Sequence, residues 1–424
     1  NLAGGTDIAF YPGSTVRAGV SINFVDSAPQ YNVTGTAGQI NIASPKELLL
    51  GGLIVTSGGM SITAGDNSRS HAAEFAARYS TTPNHYMATH DSYSMLLTGT
   101  IVVLGNNEEL ALSAADDVVI LGNIRVSGTQ SDLSIHSEKF VFIEGELTVT
   151  DKLTISGGMA AGGSSLNGSD SRGSSVYLSS AGRLTTTAAA SSISVTGAQD
   201  VDIYLPLIAG GTVGSAGVTW AGDGSRVSVT AGQQIYLDAP IQAAGSIDLS
   251  PGTPGNDDDS RELVMTSASG LNAAGLGAGG SGSTIRIESP GDLTLGGNIL
   301  SGGTIRQSFG SAGQLLSETY QWSGRNSSIE IISGGRVLVG ADTVDIAGLP
   351  TKKGTFLRAS ASVSISSQRN ADGVGIELYA GGGISTHNNS GTIILDSAGD
   401  IDLQGPVVSG GLISLVQDPA GATI

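Results

Sequence analysis

Cysteine is absent from the 424-residue chain. That excludes thiolate nucleophiles, Cys-ligated zinc and disulfide staples, so the fold must hold by packing alone. Aromatic residues are only 4% of the sequence and charged residues 13%, so a core has to be assembled from aliphatic side chains. No apolar run reaches the roughly 18 residues that a membrane-spanning helix needs. Cations are scarce, with 19 Lys and Arg against 37 Asp and Glu and a formal net charge of −18. Nucleic acid is therefore not an expected partner, because its binding rests on clustered Lys and Arg that release counterions.

Glycine is abundant, with 64 residues, about twice the usual share. The glycines do not form the tracts of a flexible linker; they punctuate short alternating runs of Val, Ile, Leu, Ser and Thr. One phrase is Thr284-Ile-Arg-Ile-Glu-Ser289, then Asp292-Leu-Thr-Leu, then Asn298-Ile-Leu-Ser. It returns from Thr392, Asp400 and Val407, from Gln39, Leu48 and Ile54, and from Arg226, Gln234 and Ile241. Looser copies begin near Leu110, Asp132, Ser192, Ser328 and Gly375.

The shared unit is three short strands with tight turns, about 22 to 26 residues, near the period of stacked coils. Each strand alternates, Ile285 and Ile287 pointing inward while Thr284, Arg286 and Glu288 meet water. A hairpin-built sandwich would show Asn-Gly turns, and the one Asn-Gly here is Asn167-Gly168. The expected fold is all-β: a right-handed parallel β-helix (β-solenoid) with about three short strands per coil, spanning 1–424 as one segment of a larger chain. Ten to fourteen coils would make a rod of roughly 50 to 70 Å.

Longer excursions interrupt the repeat at 65–95, 157–173, 251–282 and 309–325. Within the first, His71 to Tyr79 reads as a short helix with Ala72, Phe75 and Tyr79 on one face. Loops of this length either carry a solenoid's binding function or cover its flank.

Candidate chemistry is sparse. His71, His85 and His90 share one insertion with Asp91, but their spacing matches no zinc pattern. Asp257, Asp258 and Asp259 form an acidic run that could offer oxygens to Ca²⁺; the ligand order of an EF-hand is missing, so a solvated loop is the preferred reading. Asp200 with Asp202, and Asp400 with Asp402, are i, i+2 carboxylate pairs expected on outward strand faces. No GxSxG stands behind a Ser–His–Asp arrangement, and Gly275 to Gly280 is a glycine-rich loop without a nucleotide fingerprint. No catalytic residue and no cofactor is expected.

Phrases such as Gly399-Asp-Ile-Asp-Leu-Gln404 and Ser301-Gly-Gly-Thr-Ile-Arg306 resemble filamentous-haemagglutinin-like exoproteins, large bacterial adhesins built from β-helical repeats. The NPNG and NPNL segments of that family's secretion domain do not occur. The resemblance implies a structural or adhesive extracellular rod at a bacterial cell surface, not an enzyme. Its partners would be further coils of the same chain or head-to-tail copies in a filament, and surface glycans or a host or neighbour cell. The alternative is a carbohydrate-active β-helix enzyme or tailspike-like polysaccharide depolymerase. Of the NTD, DD, GHG and RIK segments of polygalacturonase-type relatives, only a DD is present, at Asp116-Asp117.

Overall fold

The computed structural model describes residues 2–3, 8–25, 28–34, 38–65, 94–158, 174–214, 217–253, 261–274, 282–309, 315–322, 326–344, 350–369 and 373–417. They group into two compact units: Asn1–Thr187 with Ile193–Leu205, and Ala188–Ser192 with Pro206–Ile424. In each, short strands pair in parallel into three sheets, and the chain visits the first, second and third sheet in turn before returning to the first. No helix occurs among the described residues. The chain is a right-handed parallel β-helix with about three strands per coil.

Vertical registry of the inward side chains is what makes the coils stack. In the Asn1–Thr187 unit the first sheet places Ile42, Ile62, Leu112, Ile135 and Ile155 on successive partners. In the Pro206–Ile424 unit Val229, Leu249, Ile287, Ile331, Ile365, Leu395 and Leu415 do the same. All but Leu415 are buried. Each such side chain contributes about 1.5–3 kcal/mol on leaving water, and aliphatic side chains of similar size stacked at strand spacing pack one coil against the next.

The expectation that every strand shows one face to water holds for the first sheet and fails for several strands of the second. Strands Met95–Leu97, Val118–Ile120 and Val141–Ile143 are buried at every position. Their middle residues form an outward column, Leu49, Leu96, Val119, Phe142 and Tyr177, and the Phe142 and Tyr177 rings stack at 5.6 Å. Unbroken apolar triplets such as Val118-Val-Ile120 are the pattern of strands covered on both faces.

Serines at the end of first-sheet strands make the corner into the second sheet. Ser137, Ser289, Ser333 and Ser397 each accept the main-chain N–H two residues on, from Lys139, Gly291, Gly335 and Gly399. The short hydroxyl turns the chain and satisfies a donor that the sheet ladder cannot reach.

Antiparallel pairing is present after all, as hairpins leaving the corners. Three lie between a third-sheet and a first-sheet strand: Val20–Val25 with Ala28–Val33, Gly211–Gly214 with Gly217–Trp220, and Gly303–Phe309 with Leu315–Trp322. A fourth, within Val337–Val344 and Pro350–Gly354, precedes the third sheet. Gly210 and Gly302 start two of them at φ of +79° and +87°, and a Cβ on either would strike the corner hydroxyl of Ser225 or Ser327. Only glycine meets both demands.

The insertions need two revisions. Residues 251–282 contain two coil strands, Arg261–Met265 and Gly270–Ala273, paired in parallel with their neighbours. The run Glu262-Leu-Val-Met265 buries the strand despite the glycine-rich sequence around it. The excursion read as 309–325 holds Phe309 and the whole returning strand Leu315–Trp322 of a hairpin that begins at Gly303. The stretches 66–93 and 159–173, with the expected helix at 71–79, lie outside the described residues.

Candidate functional site

The corner from the first to the second sheet of the Pro206–Ile424 unit carries an open groove of about 650 Å³. It crosses successive coils, because Glu288 pairs with Ile332 and Ile332 with Ser366. Ser250, Pro251, Glu288, Pro290, Ile332 and Gln368 are among its walls. Its floor is fixed by the serine turns: Ser333 Oγ donates to the Gly291 carbonyl at 2.6 Å while accepting from Gly335. Hydroxyls, an amide, two prolines and one carboxylate make a surface for a polar, uncharged ligand more than for an anion.

Beside this groove stands a residue that sequence reasoning missed. The strand Arg261–Met265 pairs with Asp292–Leu295 through a bulge between Arg261 and Leu263, which leaves Glu262 as the extra residue. The same bulge recurs in Ser174–Leu178, at Ser175, and in Val374–Leu378, at Gly375. There it holds a hydroxyl or no side chain. Here it holds a carboxylate that is 5% exposed. One carboxylate oxygen of Glu262 lies over Gly291, so close that a Cβ on Gly291 would collide with it. Its Oε2 has no hydrogen-bond partner. Burial, with the neighbouring Asp292 carboxylate, pushes the Glu262 carboxyl up to about 7 from its usual 4.5. A buried acid poised near neutrality beside a cleft is the kind of group from which functional sites are built.

The residues singled out in the sequence are dispersed. Asp257, Asp258 and Asp259 lie outside the described residues, as do His71, His85, His90 and the loop 275–280. Asp200 and Asp202 are not on a solvated face: they are 1% and 7% exposed. Asp202 falls in the buried outer column of the second sheet, paired with Tyr177, and accepts a hydrogen bond from the Ser174 hydroxyl. Asp400 and Asp402 are exposed as expected, bound to the Gln417 and Gln404 amides at 3.0 and 3.1 Å. Asp116 of the DD pair is buried and ion-paired with Lys139 at 2.7 Å. Among the described residues no three His, Asp or Glu side chains converge as a metal cage.

No family model, curated protein or solved structure matches this chain. The fold and the corner chemistry are thus the grounds for a functional reading.

Proposed function

We propose that the chain is a structural and adhesive segment of a large secreted or bacterial cell-surface protein. The observation that carries this reading is the unbroken column Val229–Leu249–Ile287–Ile331–Ile365–Leu395, one inward aliphatic residue per coil. A stack of this kind resists deformation through many equal increments, coil on coil, and it presents repeating polar faces to a surface. Exposed Leu412, Leu415 and Val416 on the strand Leu412–Gln417 support stacking of a further coil of the same kind on that edge, which would extend the assembly toward a filament. Surface glycans of a host or neighbouring cell are the proposed contact, with the groove beside Glu288 as the site to test.

The second reading is a polysaccharide-cleaving enzyme. Its support is Glu288 in the groove wall and Glu262, an acid poised near neutrality that lies over Gly291, the residue after the groove's Pro290. One experiment separates the two: incubation of the full chain with neutral and anionic polysaccharides, reading both retention and chain length. Retention without shortening is expected. Turnover that disappears in Glu288→Gln or Glu262→Gln overturns the adhesive reading.

A further inference from the structure

We propose that Glu262 is a proton-operated lock on the corner between the first and second sheets of the Pro206–Ile424 unit. As a neutral acid it seals the bulge against Gly291; as an anion it loosens the corner Ser289–Asp292 and the start of the strand Arg261–Met265.

The geometry leads there step by step. A bulge residue points where the pleat of a regular strand would not send it, and the two equivalent positions carry Ser175 and Gly375. Ser175 accepts the Gln199 N–H at 2.8 Å, so this corner is built for a small neutral group. Glu262 puts a carboxyl group in the same environment with 5% exposure and leaves Oε2 without a hydrogen-bond partner. An anion there has lost water and gained nothing at that oxygen, which favours the protonated form.

The charged surroundings reinforce this. From the following strand comes Asp292, a like charge that raises the Glu262 carboxyl further. Asp292 Oδ1 accepts the main-chain N–H of Arg336 at 2.7 Å, whereas the Arg336 guanidinium turns to Glu377 at 3.8 Å. On the preceding coil Gln234, next to the paired strand Ile235–Leu237, is a buried neutral amide. Main-chain N–H groups of Glu262 and Asp292 pull in the opposite direction without prevailing.

The sign follows from linkage. The folded-state value, about 7, lies above the ordinary 4.5, so the stabilisation is complete below the ordinary value and is lost as pH rises through 7. The test is thermal unfolding of the full chain in EDTA at pH 5.5, 7.0 and 8.5, together with hydrogen exchange at Gly291 and Asp292 against Ile135 as an internal reference. The wild type is expected to lose about 2 °C across that range, with protection, taken relative to the base-catalysed intrinsic exchange rate, falling at the corner and not at Ile135. Glu262→Gln should flatten the profile, and Asp292→Asn should move its midpoint to lower pH. Glu262→Ser, which restores the residue of the equivalent bulge, gives the same flat profile if the glutamine folds poorly. An unchanged slope in both Glu262 variants overturns the lock. So does full recovery of the wild type at pH 8.5 on adding Ca²⁺, since the carboxylates would then be holding a metal ion and not a proton.

Discussion

The main-chain N–H of Ser327 donates to the Oγ of Ser360 on the following coil at 2.9 Å, and Ser327 Oγ in turn accepts the N–H of Ser283 at 3.1 Å. A column of buried hydroxyls thus carries the corner from the third sheet to the first, where the sheet ladders stop. Ser283, Ser327 and Ser360 are at most 1% exposed, so water cannot replace a lost partner. Ser327→Ala strands the Ser283 donor and is expected to cost about 1–3 kcal/mol. Equilibrium unfolding in urea would read it as a lower midpoint at unchanged slope.

The inward columns predict a contrast between two chemically similar changes. Ile287→Ala, between Leu249 and Ile331, removes a fully buried side chain and is expected to destabilise by about 2–5 kcal/mol. Leu415→Ala lies in the same column but is 55% exposed, so its unfolding midpoint should barely move. Equal losses at both positions would mean that a further layer covers Leu415 in solution.

Ala190 sits at a φ of +58°, as do Asn107 and Gln130 at similar angles in comparable turns. Its N–H is held by the Asp223 carbonyl at 3.1 Å, so the turn imposes the angle on a residue poorly suited to it. Ala190→Gly removes that strain, and a gain of roughly 0.5–1 kcal/mol is expected after allowing for the freer unfolded chain. A melting temperature below that of the wild type would contradict the account.

Much of this architecture is legible in the sequence because a solenoid repeats its grammar locally. Alternation in Thr284-Ile-Arg-Ile-Glu-Ser289 gives the strand and its inward face, and the terminal serine marks the corner. The hairpins were hidden because they lack the Asn-Gly turn. Their signal is a second glycine after a third-sheet strand, as in Ala209-Gly-Gly211 and Ser301-Gly-Gly303, followed later by Trp220 or Trp322 opposite that glycine. Burial of Asp200 and Asp202 was illegible, since period-two alternation reports which residues share a face and not what covers it. Glu262 could have been found by aligning Ser174-Ser-Val-Tyr-Leu178, Arg261-Glu-Leu-Val-Met265 and Val374-Gly-Ile-Glu-Leu378, where an acid replaces a small residue. Its near-neutral titration depends on packing over Gly291, which no local pattern carries.

Charge on the outer face of the first sheet is arranged by coil. Asp248 pairs with Arg286 and Arg286 with Glu330 across adjacent strands. Arg286 also holds Glu288 at 2.7 Å and Glu330 at 3.1 Å, while Arg226 reaches Asp248 at 2.9 Å. These groups are partly exposed, so each pair alone is worth little. Arg286 differs in that its loss leaves Glu288 and Glu330 without the cation they share, in a chain that is already acidic. Arg286→Gln should therefore cost about 1 kcal/mol at low ionic strength. Raising the salt to about 1 M shrinks the screening length to roughly 3 Å, and most of that difference from wild type should then disappear. A loss that salt does not relieve would place the role of Arg286 in the packing of its aliphatic stem, because screening weakens like-charge repulsion and leaves buried apolar contact intact.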